Sequence, residues 1–456
     1  MSNPAFAAII LAAGEGTRLN SATPKVLHEM AGWPLIRHVT EALRPLAPAE
    51  TVVVIGQGME AVARAAAHGG SSAKTAIQSP PRGTGDAVRA SRPALEARLA
   101  KGDLADVVVL FGDAALLRPE TIAALLEERR RKPAAAIAAA GFRPPDPSPY
   151  GRFVCDPDGT LARIVEARDA TPEERRIGLC NGGIMTVDAR QLFALVDKIG
   201  NDNAKREFYL TDIVGIARAQ GLLCRAVELP AEELAGVNTR AELAEAEAIL
   251  QQRLRRRAME NGATLIAPET VFLSADTQLG RDVVIEPNVV FGPGVTVADN
   301  VRIRSFSHLD GATIAAGAIV GPFARLRPGA VLEQDVHVGN FVEVKATRLG
   351  AGAKANHLSY LGDSDVGAGT NIGAGTITCN YDGFNKHRTV IGANAFIGSN
   401  TAFVAPVTVG DGAYVATGSV VTEDVPKDAL TIARARQANK PGRGAELKAK
   451  LRGKNR

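Results

Sequence analysis

The sequence predicts two folds in series, an α/β domain with a mainly parallel sheet and then a parallel β-helix. Three observations predict them. Apolar β-rich runs alternate with helical stretches over residues 1 to about 230. A six-residue apolar beat sets in near Leu279 and runs towards Val420. Between the two lies an Ala/Glu/Leu/Arg-rich stretch that contains neither Pro nor Gly.

In the first region, residues 7–11, 51–55, 107–111 and 184–187 read as strands, and 120–131 and 189–199 as helices. Such alternation builds a sheet whose strands are joined by crossover helices. The stretch from Thr239 to about residue 261 predicts one long helix, capped at its start by Thr239 and serving as a spacer.

The beat reads Leu279, Ile285, Phe291, Val297 and Ile303. It resumes at Ile314, Val320, Leu326, Leu332, Val338 and Val344, then Val366 and Ile372, then Ile391, Ile397 and Phe403, then Val409 and Val415. A small residue often follows the apolar one, as at Gly280, Gly292 and Ala298. Every sixth side chain then points into a narrow core and a small residue turns the corner. Residues 379–388 break the beat and must loop out of the coil. Loops on rigid scaffolds often carry function. The expected divisions are 1–238, a helical linker at 239–261, the coil at 262–430 and a basic tail at 431–456.

Composition sets bounds. A chain of 456 residues exceeds one ordinary core. Only 4% aromatics beside 46 glycines suits a narrow aliphatic interior. A net charge of +4 is too small at this length to imply a nucleic-acid partner. From Lys440 onward, seven Lys/Arg face one Glu; this reads as a solvated tail, with a nucleic-acid arm as the alternative. The four cysteines, Cys155, Cys180, Cys224 and Cys379, are widely spaced and read as free thiols of a cytoplasmic protein. The apolar run at 6–13 is too short to span a membrane, so no membrane insertion is expected.

The first strand runs into Leu11-Ala12-Ala13-Gly14-Glu15-Gly16-Thr17-Arg18-Leu19, with Pro24-Lys25 close behind. A strand ending in Gly-x-Gly exposes backbone N–H groups to an anion, and Arg18 and Lys25 add positive charge. A dinucleotide fingerprint would place a third glycine at Leu19, and a Walker loop would end in Gly-Lys-Ser/Thr; neither is present. A lone Gly-x-Gly is otherwise a plain turn. With these companions it marks an α/β nucleotide-binding (Rossmann-like) domain. Asp113 follows strand 107–111, at the edge where open α/β sheets bind ligands, although an Asp there also serves as a turn residue. Gly83-Thr84-Gly85, after Gln78, is a further polar loop able to approach a base or sugar.

These pieces resemble the sugar-nucleotide pyrophosphorylases, whose signature Leu-x-x-Gly-x-Gly-Thr-Arg-Leu followed by Pro-Lys appears at Leu11–Leu19 and Pro24-Lys25. The resemblance implies that Leu11, Ala12, Ala13, Gly14, Gln78, Gly83 and Thr84 hold the nucleotide. It implies that Gly151, Glu166 and Asn181 hold the sugar, that Asp113 and Asn238 hold Mg²⁺, and that Arg18 and Lys25 are catalytic. A sugar 1-phosphate would attack the α-phosphorus of a nucleoside triphosphate. Catalysis would then rest on positioning and charge neutralisation.

Hexapeptide coils of this kind wind as a left-handed parallel β-helix and commonly trimerise, and many serve only assembly. Here the coil carries more than a scaffold needs: Arg325-Leu326-Arg327, Glu343-Val344-Lys345, and Asn380-Tyr381-Asp382-Gly383 with Lys386 in the extruded loop. Asn356-His357-Leu358-Ser359-Tyr360 interrupts the beat with a titratable group. His308, His337 and His387 read as surface residues; His357, with Tyr360, Asn371 and a basic cluster within a few coils, reads as a catalyst.

The runs 321–329, 338–343, 357–363 and 371–383 are similar to the bifunctional N-acetylglucosamine-1-phosphate uridylyltransferase/glucosamine-1-phosphate acetyltransferase family, over nearly the whole chain and in the same domain order. The resemblance implies acetyl transfer from acetyl-CoA to glucosamine 1-phosphate, with His357 as general base, since an imidazole titrates near neutral pH. Uridylyl transfer from UTP would follow, giving UDP-N-acetylglucosamine for cell-envelope synthesis. Arg327 and Lys345 would clamp the sugar phosphate, and Tyr360, Asn371 and Lys386 would orient the sugar. Ala374, Asn380, Tyr381, Ser399, Thr417 and Arg434 would lie along acetyl-CoA, between subunits of a homotrimer. Two departures concern local geometry: Ala114-Ala115 stands where the family usually has Val-Pro, and Thr417 where a small Ala is common. Two rivals stay open, a pyrophosphorylase whose coil only assembles or binds an effector, and a non-enzymatic trimeric scaffold.

Overall fold

The computed structural model describes residues 4–14, 16–68 and 73–453. Glu15 of the glycine loop and residues 454–456 of the basic tail lie outside the described residues. The chain divides into two compact units, Met1–Arg253 and Leu254–Arg456.

The first unit is built on nine strands: β1 (Phe6–Leu11), β2 (Glu50–Gly56), β3 (Lys74–Gln78), β4 (Asp106–Phe111), β5 (Ile137–Phe142), β6 (Arg152–Cys155), β7 (Leu161–Val165), β8 (Cys180–Asp188) and β9 (Cys224–Glu228). Seven of them form the order β9-β5-β8-β4-β1-β2-β3. β8 is antiparallel to both neighbours, whereas β1 runs parallel to β4 and β2. All six residues of β1 are buried. A central parallel strand covered on both faces needs such an unbroken apolar run. Two apolar clusters, one containing Ile9, Val54 and Val109 and one containing Ala8, Ile10 and Leu110, form the core on the two sides of the sheet.

Of the expected helices, Pro119–Arg130 is present. Leu192–Val196 is shorter than expected, because residues 189–191 turn under Asp188, whose side chain accepts the Arg190 N–H at 3.0 Å. The long helix spans Arg240–Glu260. Its start is a capping box: the Glu242 N–H donates to Thr239 Oγ1 at 3.1 Å, and the Thr239 N–H donates to Glu242 Oε2 at 2.9 Å.

The second unit is a left-handed parallel β-helix with three faces. Face A has ten strands, from Thr264–Leu265 to Leu430–Thr431. Face B has eight, from Val290–Phe291 to Val420–Val421, and face C eight, from Gln278–Leu279 to Val407–Val409. Inward residues stack coil on coil, as Ile285, Ile303, Val320, Val338 and Ala355 do on face A. Together they form one continuous aliphatic core.

Two expectations change here. The beat does not lapse between Val344 and Val366, because Leu349, Ala355 and Leu361 fill the inward positions. The corners from Leu309 to Ile314, Val344 to Leu349 and Leu361 to Val366 each take five residues instead of six. His357 therefore sits on an intact coil, between inward Ala355 and Leu361. At the far end Val421, not Val420, points inward. The extruded loop leaves after inward Thr378 and rejoins at Thr389–Ile391. The basic tail forms the helix Arg443–Gly453, in keeping with the high helix propensity of its Ala, Leu, Glu and Lys residues. Residues 434–452 are exposed.

Candidate active sites

In the first unit, β1 and β4 end side by side, where the Gly112 N–H donates to Leu11 O at 2.9 Å. The glycine loop and Asp113 thus leave the same sheet edge. Gly16 lies at φ +69°, and a Cβ there would collide with Lys25, so glycine lets the loop close on the lysine. The edge opens into a cavity of about 840 Å³, a size suited to a small-molecule site. Leu11, Ala12, Ala13 and Gly14 form one wall, with Arg18, Lys25, Asp113 and Asn238 at the charged end. Gln78, Gly83 and Thr84 line a second region, and Gly151, Glu166 and Asn181 a third.

The charged end is tightly wired. Lys25 Nζ pairs with Asp113 Oδ2 and also donates to Asn238 Oδ1 at 3.1 Å. Arg18 donates to that same Oδ1 at 2.8 Å. Asn238 immediately precedes the capping box, and its N–H donates to Glu242 Oε2 at 2.6 Å. One ammonium group touches both a carboxylate and an amide oxygen, so these hard oxygen donors converge on a single point. That donor set fits Mg²⁺, which takes few protein ligands when phosphates supply the rest. Among the described residues no group of three or more His, Cys, Asp or Glu side chains could hold a metal.

At the opposite end, β8 shifts register between Asn181 and Met185, with Gly183 at φ +77°. Such a bulge re-aims a side chain. Asn181 Oδ1 accepts the Gly183 N–H at 2.9 Å and the side chain is held in the cavity wall. A Cβ on Gly151 would meet Asn181 and Glu166 within 3.7 Å, so the three form one patch. Burial pushes the Glu166 carboxyl above its usual range, partly offset by the Thr211 hydroxyl, which donates to it at 3.1 Å. In the remaining region, the Gln78 amide donates to Gly83 O at 2.9 Å and to Asp86 Oδ2 at 3.0 Å. Thr84 Oγ1 accepts the Leu210 N–H at 2.9 Å.

Sequence reasoning missed part of this wall. Lys205, Glu207, Tyr209 and Thr211 line the cavity, and burial, with Asp169, Glu207 and Glu166 nearby, raises the Tyr209 hydroxyl to about 12. No motif marks this segment; only its dense polar composition sets it apart. Ala114 and Ala115 are buried, Ala115 against Met30, Leu35 and Val237.

In the second unit the candidates fall into two groups. Face A pairs Asn340 with His357, Lys354 with Asn371, Asn371 with Phe396 and Phe396 with Tyr414. Three residues on from His337, Lys354, Asn371, Phe396 and Tyr414, which pair in turn, Asn340, His357, Ala374, Ser399 and Thr417 follow one another down the corner between faces A and B. Arg434 extends the line, its Cδ 3.5 Å from where a Gly418 Cβ would lie. His357 is exposed, and its Nδ1 donates to Asn340 Oδ1 at 2.9 Å, which leaves Nε2 as the free acceptor.

The other group lies at the corner between faces B and C, beside the extruded loop. Arg327 donates to Glu343 Oε1 at 2.8 Å and Lys345 to Asp363 Oδ2 at 3.3 Å. Asn380, buried, donates to Asp363 and, at 3.5 Å, to the Tyr360 hydroxyl. Lys386 meets Lys345, and the contact and charge of Lys345 hold its ammonium below the usual lysine range. Tyr381 stays 60% exposed, open to a ligand. Asn371 stands on face A and Tyr360 on face B.

The chain matches the MobA-like NTP transferase domain over residues 8–178 and the bacterial transferase hexapeptide (six repeats) over 276–311 and 388–423. It is 55% identical to the bifunctional protein GlmU of Azorhizobium caulinodans, covering 100% of this chain and 99% of that one. The GlmU proteins of Xanthobacter autotrophicus and Paramagnetospirillum magneticum are 54% and 51% identical, over 97% of this chain and 97% and 96% of theirs. The chain belongs to the bifunctional GlmU family. Like other GlmU proteins it joins two transferases, a uridylyltransferase in the NTP-transferase unit and an acetyltransferase in the hexapeptide unit. Both rival readings, the coil as mere assembly domain and the non-enzymatic scaffold, fall with that assignment. Among the described residues no helix is long and apolar enough to cross a membrane.

Proposed function

We propose that the second unit acetylates the amine of glucosamine 1-phosphate with acetyl-CoA, and that the first unit transfers UMP from UTP to the N-acetylated product, releasing pyrophosphate and UDP-N-acetylglucosamine. The observation that carries this reading is the single available nitrogen of His357, held at the head of the Ala374–Ser399–Thr417 column. Nε2 would take a proton as the amine attacks the thioester carbonyl, and the thiolate of CoA would leave. Arg327 and Lys345 would bind the sugar phosphate, Tyr360, Asn371 and Lys386 the ring. Ala374, Asn380, Tyr381, Ser399, Thr417 and Arg434 would line acetyl-CoA.

In the first unit, Leu11, Ala12, Ala13 and Gly14 would cradle the nucleotide, and Gly151, Glu166 and Asn181 the sugar. Both Gln78 amide hydrogens are engaged within the protein. That leaves only its Oε1, an acceptor, free to meet a base, which suits the N3–H of uracil and disfavours cytosine, whose N3 is itself an acceptor. Mg²⁺ held by Asp113 and Asn238 would neutralise charge on the triphosphate. Lys25 and Arg18 would then turn from the metal ligands to the phosphates, steadying the leaving pyrophosphate.

The two groups in the coil occupy different corners of one chain, which supports a homotrimer through the β-helix, each site completed by a second copy. We place the working boundaries at 1–238, 239–261, 262–430 and 431–456, and the enzyme in the cytoplasm, with no nucleic-acid partner for the tail. The test is thiol release from acetyl-CoA with and without glucosamine 1-phosphate, before UTP is added. Release that requires the amino sugar and disappears in His357→Ala supports the reading; no release from a folded protein that still forms pyrophosphate from UTP overturns it.

A further inference from the structure

The extruded loop is not slack. Asp382 Oδ1 accepts the N–H groups of Phe384 at 2.8 Å and Asn385 at 2.6 Å, while its Oδ2 meets His387 Nε2 at 2.7 Å. The Asp382 N–H donates to Asn385 O at 3.2 Å and the His387 N–H to Asn380 O at 2.8 Å, with a bridge pairing Tyr381 and Lys386. The segment is thus a small hairpin, folded over Gly383 at φ +101° with Phe384 91% exposed at its tip. Its shape rests on those backbone pairs, on the Tyr381 hydroxyl, which donates to Gly383 O at 2.5 Å, and on the Asp382 carboxylate, which ties the tip to His387. Donation by those two backbone N–H groups and by His387 holds the Asp382 carboxyl far below the usual carboxylate range.

The hairpin ends where the acceptor group begins. Lys386 immediately precedes His387 and meets Lys345, while Asn380, at the other foot, is tied to Asp363 and Tyr360. Lys345 repels Lys386 and the Asp363 carboxylate offsets part of that repulsion, so how near Lys386 comes to them depends on the backbone that carries it. We infer that Asp382 and His387 are positioning residues for acetyl transfer: their contact fixes the hairpin so that Lys386 faces Lys345 before substrate arrives. This rests on the proposed role of Lys386 at the acetyl acceptor. Preorganisation of this kind acts on binding, because without it the ordering of the loop is charged against substrate affinity.

The test is steady-state acetyl transfer by the full-length enzyme carrying His387→Ala or His387→Gln, with glucosamine 1-phosphate and acetyl-CoA varied separately. Ordering one freed side chain on binding predicts a rise of about tenfold in KM for the amino sugar in His387→Ala, with uridylyl transfer unchanged. His387→Gln, whose amide N–H can still donate to Asp382, should return KM to within about twofold of the parent. An unchanged amino-sugar KM in His387→Ala, or a His387→Gln as poor as His387→Ala, overturns the inference. Lys386→Ala and amide hydrogen exchange at Phe384 and Asn385 separate the two layers. If Lys386→Ala leaves KM unchanged while His387→Ala speeds that exchange, the role of Lys386 fails and the hairpin clamp stands.

Discussion

His357 donates its Nδ1–H to the side-chain oxygen of Asn340, directly above it in the coil, at 2.9 Å. The amide fixes both the tautomer and the ring orientation of the base, and presents Nε2 outward. Asn340 is spent on this contact and reaches no other candidate residue by a hydrogen bond among the described residues.

Removing the base should cost far more than removing its holder. His357→Ala is expected to lower kcat for acetyl transfer by about a hundredfold or more. Asn340→Ala should lower it by on the order of tenfold through loss of ring orientation. Thiol release read against uridylyl transfer in the same preparations checks both, and equal losses in the two activities would contradict the separation of the sites.

The reciprocal experiment is Asp113→Ala. The Lys25–Asn238 contact does not pass through the carboxylate, yet the carboxylate expected to hold the metal is gone. Pyrophosphate formation from UTP should fall at least about a hundredfold, as for loss of one preorganised charge-stabilising group, while thiol release stays at the parent level.

Chelation should sort the activities in the same way. With EDTA in excess, uridylyl transfer should stop and acetyl transfer should persist, because the step proposed for His357 needs only a base, whereas the triphosphate needs the metal expected at Asp113 and Asn238. Acetyl transfer that also stopped would place a metal in the coil and contradict the assignment.

Glu166 gives a stability prediction with a definite sign. Burial raises its carboxyl pKa above the usual range, so the folded state holds the proton more tightly than the unfolded chain. Stability then falls as the pH rises through the interval between the ordinary and the raised value, and the deficit persists at neutral pH. Glu166→Gln removes it and keeps an acceptor for Thr211. Its melting temperature should exceed the parent's by about 2–4 °C at pH 7 for each 1 kcal/mol relieved, and the gap should close as the pH drops into the ordinary carboxylate range. Calorimetry at two pH values decides it.

Much of this was legible in the residues, for reasons that can be named. A strand buried on both faces must be an unbroken apolar run, so β1 stands out. The capping box beside Asn238 is written plainly as Thr239-x-x-Glu242. The partner of His357 was not legible. Three six-residue steps would put position 339, a glycine, above His357, whereas the observed separation is 17, because the corner after Val344 is one residue short. Ala355 is too small to advertise itself as an inward residue, and it concealed that shortening. Tyr209 and Thr211 were hidden differently: they reach the cavity from a turn that carries no periodic or catalytic signature.

The corner between Thr378 and Ile391 spans thirteen positions where the other corners between Leu273 and Val421 span five or six, yet Thr378 still pairs with Phe403 and Ile391 with Val409 below it. Register in this coil is therefore kept by each face with its neighbour above and below, not by counting along the chain. A corner can lengthen without disturbing a single inward contact. For an evolving lineage, that makes the edge of the prism a place where new chemistry can be spliced in as a cassette, with the ancestral core left as it was.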